Sequence, residues 1–130
     1  MQALPLRLAP GADLRATVEN MLPDDTFAGF VLQGIGSLSV AQLRFAGNAA
    51  ATRLQGDLEI LTLAGTVGPD GAHLHMSVAD AQGRVTGGHV APGCIVRTTA
   101  ELLMAVLPGH VFRRERDAAT GYPELVIGVR

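Results

Sequence analysis

Residues 57 to 90 read DLEILTLAGTVGPDGAHLHMSVADAQGRVTGGHV, three segments separated by two turn signals. No other feature constrains the fold as much. Gly68-Pro69-Asp70-Gly71 is strong turn chemistry, with Pro69 and Asp70 suited to the bend and Gly71 closing it. Ala81-Gln82-Gly83 suits a three-residue hairpin loop, a type I turn closed by glycine in the left-handed region. The first segment is apolar on both faces, Leu58 and Ile60 against Leu61 and Leu63, which predicts a central strand covered on each side. The pattern belongs to an antiparallel sheet.

The second turn sets a register. A three-residue loop pairs Asp80 with Arg84, Ala79 with Val85, Ser77 with Gly87 and His75 with His89. Side chains alternate along a strand, so Leu74, Met76, Val78 and Val90 share an apolar face. His73, His75 and His89 fall on the other face beside Ser77, Ala79 and Gly87, whose small side chains leave room for a metal and a ligand. Three imidazoles without a thiolate fit zinc with a fourth position left open, at metal–nitrogen distances of ~2.0–2.1 Å. Nickel, iron and copper also accept imidazole. The plainer reading makes these three surface histidines, or histidines bonded at a subunit contact. A two-residue loop, or a bulge at Gly87-Gly88, would dissolve the site by turning His89 away.

The rest of the chain fits the same architecture. Leu4, Leu6 and Leu8 alternate with Pro5, Arg7 and Ala9 in a first strand. ADLRATVENML then sets Leu14, Val18, Met21 and Leu22 at helical spacing, with Asp13 at its start and Pro23 beyond its end. Residues 27–35 and 38–45 read as strands joined by a hairpin turn at GIGSL. That junction lacks the third glycine of a dinucleotide fingerprint and opens no helix. Residues 47–56 read as a loop, and CIVRTTAELLMAVL is ambiguous between strand and helix. HVFRRE and ELVIGV form two shorter strands. The expected class is α+β, a mostly antiparallel β-sheet with one main helix near the N-terminus, in a single domain over 1–130.

Composition narrows the function. All ten basic residues are arginine, and the net charge is −2. Arg7, Arg15, Arg44, Arg53, Arg84 and Arg97 are scattered, and only Arg113, Arg114 and Arg116 cluster, so no basic stripe for nucleic acid is visible. Cys94 is the only cysteine, which excludes an internal disulfide and thiolate zinc knuckles; a small buried hydrophobe is its expected role. The N-terminus does not read as a signal peptide, and no apolar run spans a bilayer, so a cytoplasmic protein is expected. His110, in Pro108-Gly109-His110, is expected to be a loop residue and not a fourth ligand. Tyr122 is expected to pack the C-terminal strand, with closure of a pocket as the alternative.

ADLRATVENML, GFVLQGIGSLSVAQLRF, LEILTLAGTV, HLHMSVADAQGRVTGGHV and FRRERDAATGYPEL, in that order, resemble the PPC ("plants and prokaryotes conserved") domain over nearly the whole chain. The resemblance implies an α+β fold with a mostly antiparallel sheet, assembled as a homotrimer. It also implies the stand-alone prokaryotic branch, whose H-x-H and G-G-H elements match His73, His75 and His89. Plant members carry AT-hooks. This chain has no R-G-R-P core, so the DNA-binding label of the family does not transfer with the resemblance.

Three functions stand at this point. One is a homotrimeric metal-binding module, with zinc or another divalent metal on His73, His75 and His89, that binds a small ligand or responds to one. Arg97, Thr99, Glu101 and the run from Arg113 to Asp117 are candidates to reach such a site from a neighbouring subunit, with a solvated edge strand as their plainer explanation. Another is a metal-dependent hydrolase in which the metal activates water, with Asp70 or Asp80 as the acids nearest in sequence. The third is a DNA-associated or transcription-linked protein, acting through a partner more readily than by direct contact.

Overall fold

The computed structural model describes residues 1–130. Eight strands and one helix follow the order β1 (Gln2–Leu8), α1 (Leu14–Glu19), β2 (Gly29–Arg44), β3 (Thr52–Gly68), β4 (Gly71–Ala79), β5 (Val85–Val90), β6 (Ile95–Val106), β7 (His110–Arg116) and β8 (Pro123–Val129). Six strands form an antiparallel sheet in the order β1-β6-β2-β3-β4-β5, and β7 and β8 form a separate two-stranded ribbon. The far end of β2 curls to pair Leu43 with Val90 and Arg44 with His89 of β5, so β2 to β5 close on themselves. Side chains inside this closure and under α1 make one core, including Leu8, Leu14, Val31, Leu43, Leu63, Leu74 and Met104. Fully burying one such side chain contributes roughly 1.5–3 kcal/mol.

The sheet is as expected, but helix is a minor component. α1 holds six residues, with Leu14 and Val18 buried. Asp13 caps it, its carboxylate accepting from the Ala16 N–H at 3.0 Å. The helix stops before Met21 and Leu22, which pack against the core from the following loop. Asn20 ends it by donating its side-chain amide to the Ala16 carbonyl, and Pro23 disfavours helical geometry at Leu22. The ambiguous segment after Gly93 resolves as strand β6.

GIGSL is not a hairpin turn. β2 runs through it unbroken, with register breaks against β6 on either side of Leu38. Its glycines serve close approach: a Cβ on Gly36 (φ +151°) would lie 2.5 Å from the Thr99 carbonyl oxygen and 2.6 Å from Ala100 Cα. Nor is β3 covered on both sides. A bulge between Ile60 and Thr62 brings Leu63 onto the buried face with Leu58 and Ile60 and leaves Leu61 exposed. Of residues 47–56, the last five belong to β3. Glu101 is not at a sheet edge, since it pairs with both Arg7 of β1 and Ile35 of β2. Arg97 instead bonds Asp57 at 2.8 Å.

No helix is long and apolar enough to cross a membrane.

Candidate metal centre

Local turn chemistry places the histidines. In the β4–β5 loop the Asp80 N–H donates to the Arg84 carbonyl at 2.9 Å, Gly83 takes φ +77°, and Arg84 Nε meets Asp80 Oδ2 at 3.0 Å. The loop therefore has three residues. The ladder pairs Ala79 with Val85, Ser77 with Gly87 and His75 with His89. Leu74, Met76, Val78 and Val90 are buried on the inner face. His73, His75 and His89 project together from the other, with every pair of facing nitrogens within 4.8 Å. Their ring centroids lie 4.9 to 5.8 Å apart.

Closure of the sheet adds residues that the linear sequence does not connect. Arg44 sits directly across the β2–β5 ladder from His89, and Thr66 across the β3–β4 ladder from His73. α1 bridges the two histidine strands: Arg15 Nη1 donates to the Val90 carbonyl at 3.2 Å, and Glu19 accepts from the Ala72 N–H at 3.1 Å. The β7–β8 ribbon docks through buried Phe112, which meets Phe30 edge-on. Asp70 fixes it beside the β3–β4 turn by accepting from the Arg114 N–H at 2.8 Å. Arg114 Nη2 then reaches Thr66 Oγ1 at 2.7 Å and His73 Nδ1 at 3.1 Å. A guanidinium only donates, so His73 Nδ1 is the acceptor.

The surroundings favour the neutral form of His73 and His89. Burial, reinforced by Arg114 and His75, lowers the pKa of His73. Burial, reinforced by His73 and Arg44, lowers that of His89 to about 4. Neutral imidazole is the form that ligates a metal. His89 Nδ1 is also buried without a hydrogen-bond partner, which a native site rarely tolerates without a reason. An orphaned ring nitrogen within a set of three converging imidazoles fits a divalent transition ion.

A cavity of about 820 Å³ opens beside the cluster, lined among others by Arg15, Arg44, Asp70, His73, His89, Arg114, Tyr122 and Glu124. Tyr122 is largely exposed and lines this cavity. Asp80 stays in its turn, its carboxyl held below the usual range by hydrogen bonds from Arg84 and Gln82. Cys94 is buried, with its thiol pushed up by burial and its Sγ accepting from the Gln42 N–H, as a small core residue should be. His110 is exposed at the start of β7, away from the cluster.

A sheet-dominated domain carrying three imidazoles on an outer face defines the class. The chain belongs to the Plants and Prokaryotes Conserved (PCC) domain family, whose model matches residues 1–108. It is 48% identical over 128 residues to a protein named Bifunctional protein GlmU from Synechococcus sp. (strain JA-2-3B'a(2-13)), covering 98% of this chain and 20% of that protein. The chain thus spans about a fifth of that relative's length. A hypothetical protein from Salmonella cholerae-suis of known structure is 39% identical, with a TM-score of 0.95 and coverage of 99% and 94% of the two chains. The metal-containing protein AF0104 from Archaeoglobus fulgidus is 25% identical, with a TM-score of 0.81 and coverage of 97% and 94%.

Proposed function

We propose that this protein is a metal-binding module in which His73, His75 and His89 hold one divalent transition ion, zinc in the first instance, for binding or sensing a small ligand. The observation that carries the reading is the convergence of the three imidazoles together with the unpartnered Nδ1 of His89. The metal content of the Archaeoglobus relative supports it. When bound, the ion supplies a Lewis acid and an anchor for a ligand atom at the cavity wall. The test is a zinc titration of purified protein followed by dialysis. Stoichiometric zinc that survives dialysis and is lost in a His73→Ala, His75→Ala, His89→Ala triple variant supports the reading. No retained zinc, nickel, iron or copper sinks it.

The module is further proposed to work as a homotrimer in the cytoplasm. Leu32 and Ile35 of β2, Leu61 of β3 and Leu103 of β6 are exposed apolar side chains on three adjacent strands, a surface suited to burial against another copy. Direct nucleic-acid binding is not part of the proposal, because twelve acids against ten arginines leave a net charge of −2 and no basic stripe.

A second reading, a metal-dependent hydrolase, is favoured by one observation: Asp70 and Glu124 both line the cavity next to His73. Either carboxylate is placed to hold a proton for a reaction there. Hydrolysis of an ester, lactone or phosphoester that stops on chelation and in Glu124→Gln or Asp70→Asn would support it. Activity indifferent to chelator would end it.

A further inference from the structure

Arg15, Arg44 and Arg114 line the cavity beside the histidines, together with the carboxylates of Asp70 and Glu124. The ion pairs of the chain are Arg15–Glu19, Arg84–Asp80 and Arg97–Asp57. Arg15 is thus paired, whereas Arg44 and Arg114 make no ion pair. Both are partly buried at this cavity. Arg44 Nη1 touches the Asn48 carbonyl at 3.3 Å, and Arg114 touches Thr66 and His73. Their planar forks match an oxyanion in bidentate fashion.

The contact between Arg114 and His73 cannot persist in a metal-loaded site. His73 Nδ1 accepts from Arg114 Nη2, so in the neutral ring the proton sits on Nε2. A neutral imidazole that ligates through one nitrogen carries its proton on the other. Ligation through Nδ1 uses the lone pair that Arg114 holds. Ligation through Nε2 moves the proton to Nδ1, where it faces a donor. On either route Arg114 gives up His73 and is free to meet something else in the cavity.

We propose that the cavity binds a small organic oxyanion, a carboxylate or a phosphate monoester, through Arg44 and Arg114, and that ligation of His73 strengthens this binding by releasing Arg114. The proposal rests on the three-histidine reading above. Binding free energies are reciprocal, so the anion also tightens zinc.

Isothermal titration of metal-free and stoichiometrically zinc-loaded protein tests it. The probes are succinate and glycerol 3-phosphate, with succinamide and glycerol as neutral counterparts, and the two anions separate carboxylate from phosphate recognition. The expected result is binding of at least one anion, tighter in the loaded protein, with no binding of its neutral counterpart. Arg44→Gln and Arg114→Met should each weaken the anion by roughly tenfold or more. Arg114→Met should leave zinc affinity equal or higher, because the competing hydrogen bond is gone; a merely structural role for Arg114 would lower it. Zinc retained with no anion bound, or an anion bound equally with and without zinc, overturns this proposal and leaves the three-histidine reading standing. Zinc not retained at all overturns that reading, a result visible before any anion is added.

Discussion

His75 and His89 are direct partners across the β4–β5 ladder, and a three-residue loop alone sets them there. Deleting Thr86 would keep the loop but shift the residues after it by one, setting His89 opposite Met76 on the face of Leu74 and moving Val90 out of the core. Under the three-histidine reading, the deletion variant should lose dialysis-resistant zinc as completely as His89→Ala. It should also melt several degrees lower than His89→Ala, because the Val90 side chain leaves the core. Stoichiometric zinc in the deletion variant would show that this register does not build the site.

Much of this hairpin was legible because its determinants are local. GPDG, AQG and period-two alternation act within a few residues, and they place Leu74, Met76, Val78 and Val90 inward as found. Longer-range geometry was not legible. Glycine serves equally for a turn or for close approach, so GIGSL looked like a hairpin when Gly36 is there to let β6 cross. Leu61 is exposed because of a bulge that no pattern announces. Arg44, Arg114 and Glu124 reach the site only through sheet closure and ribbon docking, contacts between residues far apart in sequence. The arginine run from 113 to 116 was a signal, but it suggested a neighbouring subunit where the chain's own Arg114 supplies the group.

Gly65 tests how tightly β3 and β4 must approach at the site. It lies opposite Leu74, and a Cβ there would run into the carbonyl oxygen of His73. Gly56, also in β3 and also at positive φ, has open space around it. Gly56→Ala should cost about 1 kcal/mol, the strain of a side chain at positive φ alone. Gly65→Ala should cost about 3 kcal/mol more, since the strands must separate beside His73. Urea midpoints of the two variants give the comparison, and equal losses would contradict the close approach.

Acidification should destabilise the metal-free protein. His89 has a folded-state pKa of about 4 against an ordinary value of 6.5, lowered mainly by burial and then by His73 and Arg44. Between these values the unfolded chain binds a proton that the folded chain does not, so stability is fully present above 6.5 and falls as pH drops toward 4. His73, lowered by burial and by Arg114, acts in the same direction. Thermal melts of chelator-treated protein across this window should slope downward with acid, and His89→Gln should flatten part of the slope. A slope identical in wild type and variant would remove His89 as its source.

The exposed apolar strip gives the assembly proposal its own test. Leu103 lies on β6 opposite Gln33 of β2, between the exposed Leu32 and Ile35. As a lone monomer the protein would lose little from Leu103→Asp, because the side chain is already 41% exposed and faces away from the core. In a trimer that buries this strip, the same change places unpaired carboxylates in an apolar contact, which costs several kcal/mol at each copy. Sedimentation velocity should therefore find wild type as a trimer and Leu103→Asp as a folded monomer with an unchanged circular dichroism spectrum. Zinc retention by that monomer would place all three ligands within one chain, and its loss would mean that a neighbouring copy completes the site. A wild type that sediments as a monomer would defeat the trimer, and a trimeric Leu103→Asp would move the contact to another face.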